Sequence, residues 1–451
     1  MAVFKRKIYE RLLQWKRESN GKTALLLKGA RRVGKSTIVE EFARREYTSY
    51  IMIDFSIAHA DIKELFNRVS NLNTFFVGLQ TLTGVKLHER QSVIVFDEVQ
   101  LFPPARQAVK HLVNDGRYDI VETGSLLSIK KNVKGILIPS EETRVSMYPM
   151  DYEEFLWALG KESTFEGIRA AYEGRFFLGD AINRSLMRDF RLYMLVGGMP
   201  QAVSTFLDAN EFSAVDQVKR GILELYADDL RKVDSLGRLT RLFLSIPAEL
   251  ARKSATRYQV SSVIGRNAGA SRVGGLLMDL ADSMTVNFAY HANDPSVGFA
   301  MHVAPSRFKL YLADTGLFVT LAFMDRDFTD NDLYRRLLSD KLSADLGYLY
   351  ENVVAQLLKA AGHELFYHTF KGYSEREGGA ERTYEVDFLL AQGKKIIPIE
   401  VKSSSYRQHK SLDRFIQKYP DRVSAGYILY TKDLRREGGL AYLPVYMTGL
   451  L

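Results

Sequence analysis

One octapeptide constrains this chain more than any other feature: Gly29-Ala30-Arg31-Arg32-Val33-Gly34-Lys35-Ser36, followed by Thr37. The pattern G-x-x-x-x-G-K-S needs its glycines because such a loop must turn its backbone N–H groups inward around phosphates. An apolar run, Thr23-Ala24-Leu25-Leu26-Leu27, precedes it, and a helical stretch over 35–46 follows. Strand, loop and helix in that order are the setting in which the pattern holds a nucleoside triphosphate. Gly29 to Thr37 are therefore expected to cradle ATP. Lys35 would reach the β and γ phosphates and act in catalysis, while the Ser36 hydroxyl would ligate Mg²⁺. The N-terminus of the following helix favours the same negative charge.

A complement lies downstream. Val93-Ile94-Val95-Phe96-Asp97-Glu98 is an apolar strand ending in two acids, which puts both carboxylates at the sheet edge where the phosphate loop also lies. Asp97 is expected to hold the metal and its water shell, and Glu98 to orient and polarise the attacking water. Further apolar runs occur at Tyr50–Phe55 and Tyr118–Val121. Apolar strands separated by helical stretches predict a parallel sheet covered on both faces, filling about residues 20–155. The fourth run leads into Glu122-Thr123-Gly124-Ser125, where Thr123 or Ser125 could act as a polar sensor of the phosphates. Arg144 could reach phosphate in its own subunit or a neighbouring one, which leaves a homo-oligomer open.

At 451 residues the chain is expected to form two to four domains. Its 62 basic and 54 acidic residues leave a net charge of +8, which permits contact with DNA without requiring it. Cysteine is absent, so disulfides and cysteine-based zinc sites are excluded and a reducing, cytoplasmic setting is expected. Early positive charge at Lys5, Arg6 and Lys7 is followed by no uninterrupted apolar stretch, so no signal peptide is read. No run of about 18 apolar residues occurs, and no membrane span is expected.

Beyond the sheet, residues 156–235 read as a helical lid or linker interrupted by Val196-Gly197-Gly198-Met199-Pro200. Residues 236–300 hold short helical patterns and the strand-like Thr285–Tyr290, an order that suits a winged helix. The last stretch, 301–451, predicts a helix at 343–361, strands over 383–402 and a strand at Ala425–Tyr430. Charged Lys371–Arg382 reads as an exposed loop.

A second constellation sits in that last stretch. Thr383–Leu390 and Lys395–Lys402 flank Gly393-Lys394, a pair suited to a two-residue type II′ turn. The turn sets Gln392 opposite Lys395, Asp387 opposite Glu400, and Glu385 opposite Lys402. Alternation puts all four on one face. Opposed carboxylates repel unless something positive lies between them, and a second Mg²⁺ is a natural occupant. Lys402 could orient a water or stabilise developing phosphorane charge. It could equally neutralise Glu385 or Glu400. Tyr406, Arg407, His409 and Lys410 follow and could contact phosphate, or simply start a solvated basic helix.

Taken together, Gly29–Thr37, Phe96-Asp97-Glu98-Val99-Gln100, Thr123-Gly124-Ser125, Tyr148-Pro149-Met150-Asp151-Tyr152-Glu153-Glu154-Phe155 and Gly197-Gly198-Met199-Pro200 resemble the bacterial and archaeal AAA+ ATPase family whose core precedes a C-terminal domain of unassigned function. Lys309-Leu310-Tyr311-Leu312-Ala313-Asp314-Thr315-Gly316 and Tyr442-Leu443-Pro444-Val445-Tyr446-Met447 match it as well. Asp387 with Glu400-Val401-Lys402 looks like the D…E-x-K set of restriction-endonuclease-like folds, with Glu351 as the extra acid on the preceding helix. The resemblance implies an α/β chain: an AAA+ parallel-sheet core over 1–155, a helical lid over 156–235, a winged-helix-like segment over 236–300 and a restriction-endonuclease-like domain over 301–451. The function expected is ATP hydrolysis coupled to a nuclease-like, DNA-interacting domain. The alternative is a nucleotide-gated binding module with slow turnover and no cleavage, which the lack of a clear trans-acting arginine finger keeps open.

Overall fold

The computed structural model describes residues 3–124, 140–252, 256–265, 270–324, 334, 338–339, 347–373, 381–404 and 406–451. Two compact units divide them: Met1–Tyr148 with Asp282–Met284, and Pro149–Ala281 with Thr285–Leu451.

The first unit holds five strands, of which the first four are the apolar runs: β1 (Ala24–Lys28), β2 (Ser49–Asp54), β3 (Ser92–Asp97), β4 (Asp119–Gly124) and β5 (Glu142–Ser146). They form a sheet in the order β2-β3-β4-β1-β5, and every pairing is parallel. β3 and β4 are buried along their whole length, which is why they read as unbroken apolar runs rather than alternating ones. On one face Leu26, Ile53, Ile94, Phe96 and Ile120 share a core with Phe66 and Phe75 and with Ala105, Val109 and Leu112 of helix Pro103–Asp115. Each such side chain contributes roughly 1.5–3 kcal/mol on burial. Helix Lys35–Glu46 follows the phosphate loop over the residues expected, and buries Ile38, Val39 and Phe42. The edge strand β5 was not legible, because Glu142-Thr143-Arg144 interrupts its apolar pattern.

The second unit begins with helices Tyr152–Ala158, Glu162–Gly174, Asp180–Val196, Pro200–Ala209 and Phe212–Val233. Three of the motifs noted in the sequence meet here. The Gly198 N–H donates to Asp314 Oδ2 (2.6 Å), and the Met150 N–H donates to the Gly198 carbonyl (2.7 Å). A β-carbon at Gly198 would lie 2.0 Å from the Met150 oxygen, so only glycine admits this contact.

Eight strands make the second sheet: β6 (Val286–Ala292), β7 (Val303–Leu312), β8 (Leu365–Tyr373), β9 (Glu381–Gln392), β10 (Lys395–Val401), β11 (Gly426–Tyr430), β12 (Arg435–Glu437) and β13 (Leu440–Pro444). Their order is β12-β13-β11-β10-β9-β8-β6-β7. β8, β9 and β10 run antiparallel in succession, helix Lys410–Lys418 crosses over, and β11 returns parallel to β10. Over 236–300 the chain makes the short helices Arg238–Leu244, Ile246–Leu250 and Val260–Ile264, then Ala270–Asp282 and β6. β6 lies between β7 and β8, an interior strand of the large sheet.

The hairpin register is the expected one from Lys395–Gln392 to Ile399–Phe388. Gly393 supplies the positive φ (+59°) that the turn requires. Pro398 makes no bulge. Ile396 and Lys402 donate their N–H groups to the carbonyls of Arg422 and Leu429, so alternation points position 398 the same way, into the gap before β11 begins. The expected loop at Lys371–Arg382 is corrected at both ends: Lys371–Tyr373 belong to β8 and Glu381–Arg382 to β9, tied by a Lys371–Glu381 pair (2.7 Å). Solvated strand ends and loops share a charged composition, so sequence does not separate them. Among the described residues no helix is long and apolar enough to cross a membrane.

Candidate functional site

The phosphate loop joins β1 to helix Lys35–Glu46. Arg32 (φ +66°) and Gly34 (φ +97°) both take the left-handed conformation. A β-carbon at Gly29 would stand 2.5 Å from the Met147 carbonyl oxygen, which fixes glycine there. The Lys35 ammonium donates to the carbonyls of Gly29 (3.1 Å) and Ala30 (2.9 Å). Burial lowers its pKa, against the opposing pull of Glu98 and Asp97. Arg6, indistinguishable in sequence from its basic neighbours, donates to the Val33 carbonyl (2.9 Å) and to that of Tyr148 (2.7 Å). It ties the loop to the end of the first unit.

The strand order places β4 between β1 and β3, so Thr123 lies between the loop and the paired acids. Ser36 Oγ donates to Asp97 Oδ1 at 2.9 Å, and the Thr123 hydroxyl donates to the same oxygen. The Glu98 N–H in turn donates to Thr123 Oγ1 at 3.3 Å. Glu98 sits at φ +52°, a left-handed conformation uncommon for a side-chain-bearing residue, and Gln100 Nε2 donates to its carboxylate. A hydroxyl and a carboxylate from separate elements meeting at 2.9 Å are hard oxygen donors of the kind Mg²⁺ takes, so the residues fit that ion. Ser125 lies outside the described residues. Arg144 stands on β5, where its Nε donates to Glu142 (2.7 Å).

Beneath this cluster is a group that sequence reasoning missed. Glu122 is fully buried beside Arg106 and Glu142, and Arg106 donates to Glu142 at 2.6 Å. Burial drives the Glu122 pKa well up; Arg106 opposes this and Glu142 adds to it.

In the second unit, helix Gly347–Ala360 is fixed to β7 by Asn352, which accepts the Leu312 N–H (2.8 Å), and by Gln356, which accepts that of Thr315 (2.7 Å). That docking brings Glu351 to Tyr311, whose hydroxyl donates to it at 3.3 Å. Glu351, Glu385, Asp387 and Glu400 gather here, as the sequence anticipated. One pairing is among those expected and one is not. Lys402 binds Glu400 (2.6 Å), whereas Glu385 is held by Lys309 of β7 at 2.5 Å, with Glu351 3.5 Å from the same ammonium. The Asp387 carboxylate accepts the Val401 N–H (2.8 Å) where the ladder ends, and Glu400 accepts that of Leu412 (3.3 Å).

Burial, reinforced by Glu351, Glu400 and Glu385 and opposed by Lys309, pushes the Asp387 pKa well up. Burial works against the charge on Lys309, but Glu385, Tyr311, Glu351 and Asp387 prevail and raise its pKa, so it stays an ammonium. Sequence could not assign Lys309, because its partner lies 76 residues away. Among the described residues no group of three or more His, Asp or Glu is placed to hold a metal ion. A cleft of about 220 Å³ opens beside the cluster, lined by Arg252, Arg257, Tyr258, Lys309, Glu351 and Glu385.

Residues 21–156 match a family model described as an AAA domain. Residues 187–327 and 346–447 match two models described as domains of unknown function, DUF8612 and DUF4143. A search of curated proteins finds no match. Among solved structures, the chain is similar to the Walker-type ATPase PABY2304 of Pyrococcus abyssi, with 17% identity over 71% of this chain and 96% of that one and a TM-score of 0.43. It is also similar to Cdc6p from Pyrobaculum aerophilum, with 13% identity over 76% and 97% and a TM-score of 0.24. A third is the STAND protein PH0952 from Pyrococcus horikoshii, with 13% identity over 80% and 46% and a TM-score of 0.28. With a parallel five-stranded sheet, a phosphate loop after β1 and the AAA match over the same residues, the chain carries an AAA-type P-loop ATPase domain.

Proposed function

We propose that the chain hydrolyses ATP with Mg²⁺ and uses its nucleotide state to control a nuclease-like, DNA-interacting C-terminal region. The observation that carries the first half is the convergence of Ser36, Asp97 and Thr123, with Glu98 adjacent, at the mouth of the phosphate loop. In this reading the N–H groups from Gly29 to Thr37 wrap the phosphates, and Lys35 exchanges its loop carbonyls for the β and γ oxygens. Ser36 and Asp97 would hold a Mg²⁺, which would supply charge neutralisation at the phosphates. Glu98 orients and deprotonates the attacking water, and Thr123 holds the Asp97 carboxylate and the Glu98 backbone in place beside the loop. Glu98→Gln tests the assignment: nucleotide binding should persist while turnover falls about 100-fold or more. Unchanged turnover would remove Glu98 from the mechanism.

Support for the second half is the order of helix Gly347–Ala360, β8, β9, β10, helix Lys410–Lys418 and parallel β11, with Asp387 in mid-β9 beside Glu400 near the end of β10. The working parts would be a core over 1–155, a lid over 156–235, a winged-helix-like segment over 236–300 and a restriction-endonuclease-like domain over 301–451. The lack of cysteine suits a cytoplasmic protein, and a homo-oligomer is compatible with an AAA-type core. Cleavage of DNA by wild type and its loss in Lys402→Ala would support the nuclease reading. A specific observation favours the alternative of a slow, nucleotide-gated binding module: Lys309 and Lys402 already neutralise Glu385 and Glu400. Turnover slower than about one ATP per hour, with no cleavage of any nucleic acid, would select it.

A further inference from the structure

Helix Lys410–Lys418 turns Leu412, Phe415, Ile416 and Tyr419 inward, against the sheet. The helical period then sends Lys410, Arg414, Gln417 and Lys418 outward. Arg407 stands just before the first turn. The helix's one acid, Asp413, lies at the flank and is taken by His409 (2.9 Å). Arg407, Lys410, Arg414 and Lys418 form no ion pair with a described residue. A surface of this kind normally mixes signs, so an unrelieved basic row is costly to hold together without an anion.

The row is also held in place. Arg414 lies over the Tyr384 ring at 5.3 Å, Lys418 over Phe370 at 5.3 Å and Arg407 over Tyr406 at 6.0 Å. Phe370 and Tyr384 are themselves buried and stacked on each other at 5.6 Å. Rings so covered cannot accept bases. They hold the cationic heads in position, with Arg407, Lys410 and Lys418 exposed and Arg414 half-buried. Of the four residues after the hairpin that could have met phosphate, His409 and Tyr406 are otherwise engaged: His409 Nε2 meets the Tyr442 hydroxyl at 3.0 Å, and Tyr406 packs edge-on against Tyr430. Arg414 and Lys418 take their place.

We propose that Arg407, Lys410, Arg414 and Lys418 form a track for the phosphate backbone of duplex DNA. This rests on the DNA-interacting reading of the C-terminal region and names the surface that would carry it. The track spans about 12 Å from Lys410 to Lys418, three to four nucleotide steps along one strand. Its first turn abuts the carboxylate cluster through the Leu412–Glu400 hydrogen bond. Contacts confined to phosphate make the binding independent of base sequence.

The test is fluorescence anisotropy of the full-length protein on two short duplexes of unrelated sequence, between about 50 and 200 mM salt. Four contacts predict a slope of log K against log salt of about −3.6. The Lys410→Gln, Arg414→Gln, Lys418→Gln variant should lose about 3 of that slope and bind both duplexes at least about 10-fold more weakly. Its ATP hydrolysis should be unchanged. The charge-retaining Lys410→Arg, Lys418→Arg variant should bind as wild type does, which separates charge from folding. A wild-type slope near zero, or a triple variant with wild-type slope, overturns the track. So does loss of binding by the triple variant to anionic lipid vesicles with DNA binding intact. Salt-sensitive DNA binding without cleavage would sustain the track while defeating the nuclease reading. Cleavage with an unaffected triple variant would do the reverse.

Discussion

Ser36 Oγ and Asp97 Oδ1 stand 2.9 Å apart, although 61 residues separate them in the chain. The parallel order β3-β4-β1 produces this meeting, since it brings the C-terminal ends of three strands to one edge. Thr123, from the strand in between, completes the contact by donating to the same carboxylate oxygen and accepting the Glu98 N–H.

Thr123→Val keeps the shape of the side chain and removes the hydroxyl. It should leave nucleotide affinity within a few-fold and lower kcat by about 10-fold or more, since it loosens Asp97 and Glu98 rather than the phosphate loop. Steady-state kinetics separate the two parameters. An increase in KM with kcat intact would place Thr123 in nucleotide binding instead.

Removing the Lys309 ammonium strands Glu385 without its partner. Breaking a buried pair from one side costs about 3–5 kcal/mol, so Lys309→Met should unfold at clearly lower urea than wild type. Adding Glu385→Gln to it should recover part of the loss, because Glu385 then carries no charge to be left without its partner. Unfolding of Lys309→Met at the wild-type urea concentration would show that the cluster does not depend on this lysine.

His291 of β6 and His368 of β8 stack at 5.5 Å in the second sheet. Burial, then Arg307 and His368, lower the pKa of His291 to about 4. Burial likewise lowers that of His368, against the hydrogen bond to the Ala292 carbonyl. The His291 ring therefore stays neutral in the fold down towards pH 4, while the unfolded chain takes up its proton below about pH 6.5. Its contribution is present in full above that pH and is lost as pH falls towards 4. Thermal melts should show the midpoint dropping across that window, with a shallower drop in His291→Gln. An equal slope in both proteins would remove His291 from the acid response.

The phosphate loop, its helix and β1 to β4 were legible because each is an unbroken apolar run or a motif whose backbone geometry dictates its residues. The β9–β10 register was legible too, because a two-residue turn fixes every later pairing. Lys309 was not, nor was Glu122. Both draw their meaning from partners that only the finished sheets bring near, and a buried cation or acid looks like any other charge in the chain. β5 escaped because an edge strand carries the charged residues that protect it. The outward row on helix Lys410–Lys418 was half visible, through Arg407 and Lys410. Arg414 and Lys418 needed the helix to be placed before they joined it.

The central claim, ATP hydrolysis at the phosphate loop, is tested most directly by Mg²⁺-dependent phosphate release from wild type and Lys35→Ala side by side. Wild type should turn over and Lys35→Ala should lose about 100-fold or more, with the variant's fold intact by circular dichroism. Equal turnover in the two proteins would contradict it.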